Sequence, residues 1–390
     1  MFSSSLDHVF RSLRLLAIGP LAVVMSFALA SRSEAQPAIT LEVDASVFMS
    51  DNPFLTTEPK LVTGALDVVL RPRIEWQVDP RTGIDFTGEL GTRQYSRRYG
   101  NFISGRSDLA IRYRRNEYLT AGARAGYRRD LVSDSLTESI DFAVDPMSIR
   151  ETAEARASLA WSPNAITTIT GEGGWQRLGY PDSDVLETIN THDVGIGINR
   201  RMSETLTLGL RAHYTSSQIA NGEDTSVKSL NAVATRRFAT HWNATAQVGV
   251  EWTDLLDFTT QTRQSRARFN GSASVCYEPD RTSICLGSAL RSEVSGLGGL
   301  QREFSINTAI RHRISELGSL SAEVDFRRAR LPGYPEPAHV FRGAVSYEHR
   351  IGPNLYLTPN AAYLQRHRNP HDKADAFIVA IDISLRRAGR

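Results

Sequence analysis

Hydrophobic and polar residues alternate along most of the chain after residue 36, and the segment "HWNATAQVGVEW" (241–252) shows the pattern clearly. One parity carries Trp242, Ala244, Ala246, Val248, Val250 and Trp252. The other parity carries Asn243, Thr245, Gln247, Gly249 and Glu251. Because successive side chains of a β-strand point to opposite faces, this pattern predicts a long strand with one apolar and one polar face.

The same period-two pattern recurs in about 18 segments, and no helical stripe of apolar residues follows residue 36. Most segments are 11 residues or longer, whereas strands of soluble proteins usually have about 5–6 residues. Pro72 lies inside one segment (65–78). Since proline cannot donate a ladder hydrogen bond, we predict a β-bulge at Pro72.

The connections between segments alternate in length. Short connections such as 79–83, 115–117 and 352–354 follow even-numbered segments, whereas longer ones such as 49–61, 130–149 and 367–373 follow odd-numbered segments. This alternation is typical of an up-and-down antiparallel barrel with one short-turn rim and one long-loop rim. An even strand count places both termini at the short-turn rim.

Tryptophan residues mark the ends of the apolar faces. Ten residues at about 3.3 Å each, tilted by about 40°, span roughly 25 Å, which is the height of the apolar band of an outer-membrane barrel. We therefore predict an aromatic girdle that contains Trp76, Trp161, Trp242 and Trp252. The alternative is a soluble β-sandwich or propeller with these residues in its core.

The first 35 residues have the features of an export signal. Arg11 and Arg14 precede the apolar run 15–30, and small residues follow. The sequence predicts a signal peptide over 1–35 and an outer-membrane barrel over 36–390. A cut after Ala30 and an uncleaved anchor helix are the alternatives to a cut after Ala35.

The charge of the chain is balanced, with 45 basic and 43 acidic residues, and it gives no indication of nucleic-acid binding. Only Lys60, Lys228 and Lys373 are lysines, so arginine supplies nearly all of the basic charge. The planar guanidinium group binds carboxylates in a bidentate manner, which suits crowded, paired settings.

Many of the charged residues fall on the polar parity and are predicted to face the barrel lumen. The predicted basic lining consists of Arg71, Arg73, Arg112, Arg114, Arg124, Arg128, Arg156, Arg211, Arg311, Arg313 and Arg327. It can select solutes by charge, with residues 71–128 as an anion-attracting wall. Alternatively, these arginines pair with acidic residues on adjacent strands and only solvate the interior.

Cys276 and Cys285 flank a short turn and are the only cysteines. If the hairpin closes on Asp280 and Arg281, the two cysteines face each other at a non-hydrogen-bonded pair, where side chains approach most closely. We predict a structural disulfide in an oxidising periplasm. The sequence shows no catalytic motif and no metal-binding cluster, so we predict a non-enzyme with no cofactor.

The mature chain resembles proteobacterial outer-membrane β-barrel proteins of the porin kind. The segment "DNPFL" (51–55) is similar to an Asn-Pro-Phe segment near the start of barrels from exopolysaccharide loci. The resemblance implies export or passage of a polysaccharide. Pro53 is expected to end the first strand and Phe54 to anchor the following loop.

Three functions follow from these observations. The first is a porin or channel for small polar or anionic solutes, and the second is an outer-membrane component of exopolysaccharide secretion. The third is a closed structural or adhesive barrel, in which the loop 130–149 folds inward. The expected partners are outer-membrane lipid and lipopolysaccharide, the barrel assembly machinery, and an acidic polysaccharide or its export complex.

Overall fold

The computed structural model describes residues 37–388, apart from 58–59, 136–140, 142–143, 221–223, 258–261, 298, 331–335 and 370–371. The predicted signal peptide, residues 1–35, lies outside the described residues. No helix in the described part of the chain is long and apolar enough to cross a membrane.

Eighteen β-strands of 12–17 residues make up almost all of the described chain. They are β1 (Ala38–Ser50), β2 (Thr63–Asp79), β3 (Thr82–Tyr95), β4 (Asn101–Asn116), β5 (Leu119–Leu131), β6 (Ile149–Asn164), β7 (Thr167–Gly179), β8 (Ile189–Arg201), β9 (Leu206–Ile219), β10 (Thr225–Ala239), β11 (Trp242–Asp257), β12 (Thr262–Tyr277), β13 (Thr282–Ser295), β14 (Gly299–Arg313), β15 (Gly318–Ala329), β16 (Ala338–Arg350), β17 (Leu355–Asn369) and β18 (Asp372–Ala388). A 3₁₀ turn, Val132–Ser135, follows β5.

The strands form one closed antiparallel barrel. Each strand pairs with its neighbours in the sequence, and β1 pairs with both β2 and β18. Closure matters because lipid offers no hydrogen-bonding partner to an unpaired strand edge. The prediction of an up-and-down barrel of about 18 strands is therefore confirmed.

The ladder register separates two kinds of surface. On β11, the large apolar side chains of Val248 and Val250 remain exposed on the outer face, as they would in contact with lipid. The neighbouring inner positions carry polar residues such as Gln247 and Glu251. This alternation is the pattern of a transmembrane barrel with an apolar exterior and a polar lumen, and such barrels lie in the bacterial outer membrane.

All four predicted girdle tryptophans occupy outer-face positions. Trp76, Trp161 and Trp242 lie at the short-turn rim, whereas Trp252 lies towards the long-loop rim. The ring centroids of Trp242 and Tyr277 are 4.8 Å apart. Both rims of the apolar belt therefore carry amphipathic aromatic rings, as expected at a membrane–water interface.

The predicted bulge at Pro72 is wrong. The β2–β3 ladder lacks its two pairs at Arg71 and Pro72, but its register is the same on both sides. The pyrrolidine ring is accommodated by Gly88 on β3, where an added Cβ would lie 3.0 Å from Pro72 Cγ. A missing side chain, and not an inserted residue, therefore makes room for the proline.

The connections at the long-loop rim are shorter than predicted in several places. The predicted connection 367–373 contains only two residues, because β17 and β18 extend to Asn369 and Asp372. Long connections remain after β1, β5 and β7. Residues of these three connections pack inside the barrel.

The β12–β13 ladder ends early, at the pair Gly271–Leu290. Beyond that pair, side chains form hydrogen bonds with backbone groups of β12 and β13 that no longer pair with each other. Arg302 Nη2 donates a hydrogen bond to the Phe269 carbonyl (2.6 Å), and the Ser292 amide donates to the Glu251 carboxylate (3.2 Å). These contacts stabilise polar backbone groups that the ladder leaves unpaired.

Cys276 and Cys285 form a disulfide on the inner face of the β12–β13 hairpin. The two residues are direct cross-strand partners, with their Cα atoms 4.1 Å apart, so the predicted register is confirmed. Because the tight hairpin already closes this segment, we expect the bond to add little to the stability of the barrel.

The alternation generates a direct prediction for β11. Val248→Arg should destabilise the barrel by about 2–4 kcal/mol, because it places a charge at the middle of the lipid-facing belt. Gln247→Arg is the matched control on the inner face and should have a much smaller effect. Urea titration of the heat-modifiable gel shift in lipid vesicles measures both. Equal destabilisation by the two variants would contradict the assignment of faces.

Candidate channel lumen

All eleven predicted lining arginines occupy inner-face positions in the ladder register. Seven of them pair with carboxylates on the same strand or on a nearby strand. The seven are Arg71, Arg73, Arg112, Arg124, Arg128, Arg156 and Arg327. Much of the lumen wall is therefore a set of internally neutralised charge pairs.

The sector between residues 71 and 128 illustrates this pairing. Arg71 contacts both Asp44 and Glu89, and Asp108 accepts hydrogen bonds from Arg106 (2.6 Å) and Arg124 (2.7 Å). Opposite charges on adjacent strands attract across the sheet. The basic residues of this sector are thus held against acidic neighbours, which reduces the field that they present to a solute.

An ion pair also bridges two strands that are not adjacent. Arg156 on β6 and Asp193 on β8 approach to 3.5 Å across β7. Gly174 lies between them in the ladder, and a Cβ there would lie 2.6 Å from Asp193 Oδ1. The absence of a side chain at Gly174 therefore permits the contact.

Four lining arginines have no carboxylate partner within ion-pair distance among the described residues. They are Arg114, Arg211, Arg311 and Arg313, and all four side chains are exposed. Arg114, Arg311 and Arg313 lie near the short-turn rim, whereas Arg211 lies in the middle of β9. These side chains are the cations most available to a solute in the lumen.

Two of the interior cavities lie below the long-loop rim. The first has a volume of about 710 Å³ and is lined by Arg106, Arg128, Glu154, Arg156, Glu172 and Arg211. The second, of about 570 Å³, is lined by Asp67, Arg71, Glu89, Arg93, Asp134 and Arg342. Arg106 and Arg128 line both cavities, so they form the wall between them.

An apolar plug lies inside the barrel at the long-loop rim. It consists of Leu55, Val132, Tyr180 and Leu186 from the loops, packed against the inner faces of β15–β18. The wall residues of the plug are Ala329, Ala338, Val340, Leu364, Ala374 and Ala376. These inner positions are small or apolar, unlike the charged lining elsewhere, and they give the loops a surface to bury.

Asp141 fixes the inward loop at the centre of this arrangement. Its buried carboxylate accepts hydrogen bonds from Tyr180 Oη (2.8 Å), Ser295 Oγ (2.6 Å) and the Gly296 amide (3.1 Å). Burial raises the pKa of Tyr180, and the Asp141 carboxylate raises it further. The described part of the loop 130–149 thus folds inward, as expected for a constriction.

The "DNPFL" segment holds a second loop in place. β1 ends at Ser50, and Phe54 is fully buried beside Tyr95, Tyr99 and Phe102, with ring centroids 4.7–5.9 Å apart. The Asn52 side chain accepts a hydrogen bond from the Thr56 amide (3.0 Å) and donates to the Thr56 carbonyl (2.9 Å). The expected anchoring role of Phe54 is confirmed.

Three histidines, His192, His213 and His312, lie on different strands of the barrel wall. His192 and His312 occupy outer positions, whereas His213 faces the lumen. The Nδ1 atom of His213 lies 3.9 Å from Glu172 Oε1, which is too long for a hydrogen bond. Cys276, Cys285 and Glu278 lie close together, but the disulfide removes both thiolates as metal ligands.

Only the inward fold of the loop 130–149 was predicted from sequence, although a signal for the rest of the plug was present. The run "AFIVAI" (376–381) is apolar on both parities, whereas a strand between lipid and water is apolar on only one. Ala376, Ile378 and Ala380 are the inner positions of this run. A doubly apolar strand therefore indicates that the lumen at that position is filled by protein.

The fold is shared with solved bacterial barrels. Pseudomonas aeruginosa OpdQ aligns over 90% of this chain and 99% of its own length, with 12% identity and a TM-score of 0.50. Pseudomonas aeruginosa OccK2 (OpdF) aligns over 91% and 99%, with 9% identity and a TM-score of 0.50. This chain has the fold of an outer-membrane porin. No family model and no curated protein matches the sequence.

The role of Asp141 can be tested by removing its carboxylate. Asp141→Ala should increase the mean conductance of the barrel in a planar bilayer, because each hydrogen bond to a buried charge contributes about 1.5–3 kcal/mol to holding the plug. Asp184→Ala removes an exposed carboxylate from a neighbouring loop and should leave conductance unchanged. An unaltered conductance in Asp141→Ala would show that this network does not control the constriction.

Proposed function

We propose that the barrel is an outer-membrane channel for small anionic solutes. The observation that carries this proposal is the exposed guanidinium group of Arg211, which lines the cavity of about 710 Å³ and has no carboxylate within ion-pair distance among the described residues. A cation that no protein carboxylate neutralises is available to bind a carboxylate of a passing solute.

The distribution of the other available cations supports the same direction of selectivity. Arg311 and Arg313 line a cavity of about 470 Å³ at the short-turn rim, and Arg114 lies on the inner face near that rim. Both termini of the barrel are at this rim, which is the periplasmic side of barrels of this kind. An anion that leaves Arg211 would therefore meet the guanidinium groups of Arg311 and Arg313 on its way to the periplasm. The same cavity is also lined by four acidic residues, Glu278, Asp280, Glu316 and Glu348.

The dimensions of the interior favour small solutes. Cavities of about 300–1,000 Å³ accommodate small-molecule ligands, and the apolar plug restricts access from the long-loop rim. Passage requires the plug to move or to leave a gap, so the proposed channel is narrow and gated by its own loops.

The selectivity prediction concerns Arg211. In a salt gradient across a planar bilayer, the sign of the reversal potential of the wild-type protein should show that anions pass more readily than cations. Arg211→Gln should shift this reversal potential towards zero. Arg200→Gln, on the outer face of the neighbouring strand β8, is the matched control and should leave it unchanged.

Two results would contradict the proposal. One is a reversal potential that does not change in Arg211→Gln. The other is the absence of any conductance from protein that a heat-dependent gel shift shows to be folded. The second result would favour a closed structural or adhesive barrel, a function that the buried plug also supports.

A role in exopolysaccharide secretion is a further candidate. The segment that carries the resemblance, 51–55, contributes Leu55 to the plug and Phe54 to the aromatic cluster beside it. A polymer could pass only after this plug is displaced. Block of the open Asp141→Ala channel by an added polyuronate, with no block by a neutral polysaccharide of equal length, would favour this function over passage of small solutes.

A further inference from the structure

The outer face of the barrel carries a row of basic residues across four strands. Arg328 on β15 pairs in register with His339 on β16, His339 with His367 on β17, and His367 with Lys373 on β18. We call these four residues the basic row. Neighbouring strands lie about 4.8 Å apart, so the row extends over roughly 14 Å of the barrel exterior.

The position of the basic row relative to the membrane can be inferred from a band of aromatic residues next to it. On the same four strands, two or four residues closer to the membrane centre, the outer face carries Phe326, Phe341, Tyr363 and Phe377. Aromatic rings at the edge of an apolar belt lie at the level of the lipid headgroups. The basic row is therefore at the headgroup level of the leaflet on the long-loop side.

The cations of the row are not neutralised by the protein. Arg328 and Lys373 are exposed, and neither has a carboxylate within ion-pair distance in the described part of the chain. His367 Nδ1 and His339 Nε2 are 3.0 Å apart, so one ring donates a hydrogen bond to the other. Arg302 adds a further cation on the same outer face of β14.

The acidic groups beside the row are already bound. Asp375 and Asp51 lie on the exterior next to the Lys373 end, and Lys60 Nζ contacts them at 2.7 Å and 3.1 Å. The pKa of Asp51 is lowered: its partial burial acts to raise the pKa, but the Phe377 amide and Lys60 outweigh that effect. On another part of the exterior, Arg129 is paired with Glu151 at 2.5 Å.

We propose that the basic row binds the phosphate groups of lipid A, the membrane anchor of lipopolysaccharide, on the outside of the barrel. The guanidinium and ammonium groups of Arg328 and Lys373 would contact phosphate oxygens, and the aromatic band would pack against the acyl chains. Arginine and lysine form strong charge-assisted hydrogen bonds with phosphate. This inference depends on the orientation of the barrel and not on conduction.

The test measures lipid binding by the full mature protein in a zwitterionic detergent, with native mass spectrometry as the readout. Bisphosphorylated lipid A should bind the wild-type protein, and the double variant Arg328→Gln/Lys373→Gln should bind it about 25-fold more weakly, since each basic group beside an anionic surface contributes roughly a fivefold factor. Arg200→Gln/Arg236→Gln removes two outer-face arginines at the opposite rim and should bind like the wild type.

Two further probes identify the source of the phosphate. Lipid A without phosphates should bind the wild-type protein as weakly as bisphosphorylated lipid A binds the Arg328/Lys373 variant, and millimolar inorganic phosphate should not displace the intact lipid. Three results would overturn the proposal. They are an equal loss of binding in both double variants, unchanged binding in the Arg328/Lys373 variant, and displacement of the lipid by inorganic phosphate. A heat-dependent gel shift verifies that each variant is folded.

Discussion

Every backbone amide and carbonyl group in a lipid bilayer must find its hydrogen-bonding partner within the protein, and the remaining features of this chain depend on that constraint. The β1–β18 ladder meets it by joining the first strand to the last. Because the side chains alternate, the closed sheet presents an apolar outer face to lipid and a polar inner face to water. The early end of the β12–β13 ladder shows the constraint locally, because Arg302 and Glu251 bind backbone groups on the separated edges.

The interior of a closed barrel of this width is too large for the side chains of its wall to fill. Two sectors of the wall differ in the side chains that face this space. On β2–β6 the wall carries arginine–carboxylate pairs, whose mutual attraction limits the field in the lumen. On β15–β18 the wall is apolar and covered by the plug. Arg211 differs from both, because it faces a cavity without a compensating carboxylate among the described residues.

The strands, their faces and the cysteine pairing could be predicted because each follows from local rules: period-two alternation and the register that a tight turn imposes. The bulge at Pro72 was predicted wrongly because the accommodating residue, Gly88, lies on the next strand. The pairing of Arg156 with Asp193 across Gly174 was likewise invisible, since it depends on residues far apart in sequence. Loop composition does not specify whether a loop folds inward or outward, so Leu55, Tyr180 and Leu186 could not be placed from the loops themselves. The indication lies on the wall, in the doubly apolar run 376–381.

If β11 separates lipid from a water-filled lumen, cysteines on its two faces should differ in their reactivity towards a water-soluble reagent. Single cysteines are introduced at the inner positions Thr245 and Gln247 and at the outer positions Ala246, Val248 and Val250, with the native disulfide intact. In lipid vesicles, a water-soluble maleimide should label the inner set and leave the outer set unlabelled. Labelling that is equal on both parities would contradict the barrel as a boundary between two solvents, and an unlabelled inner set would show that water does not fill the lumen.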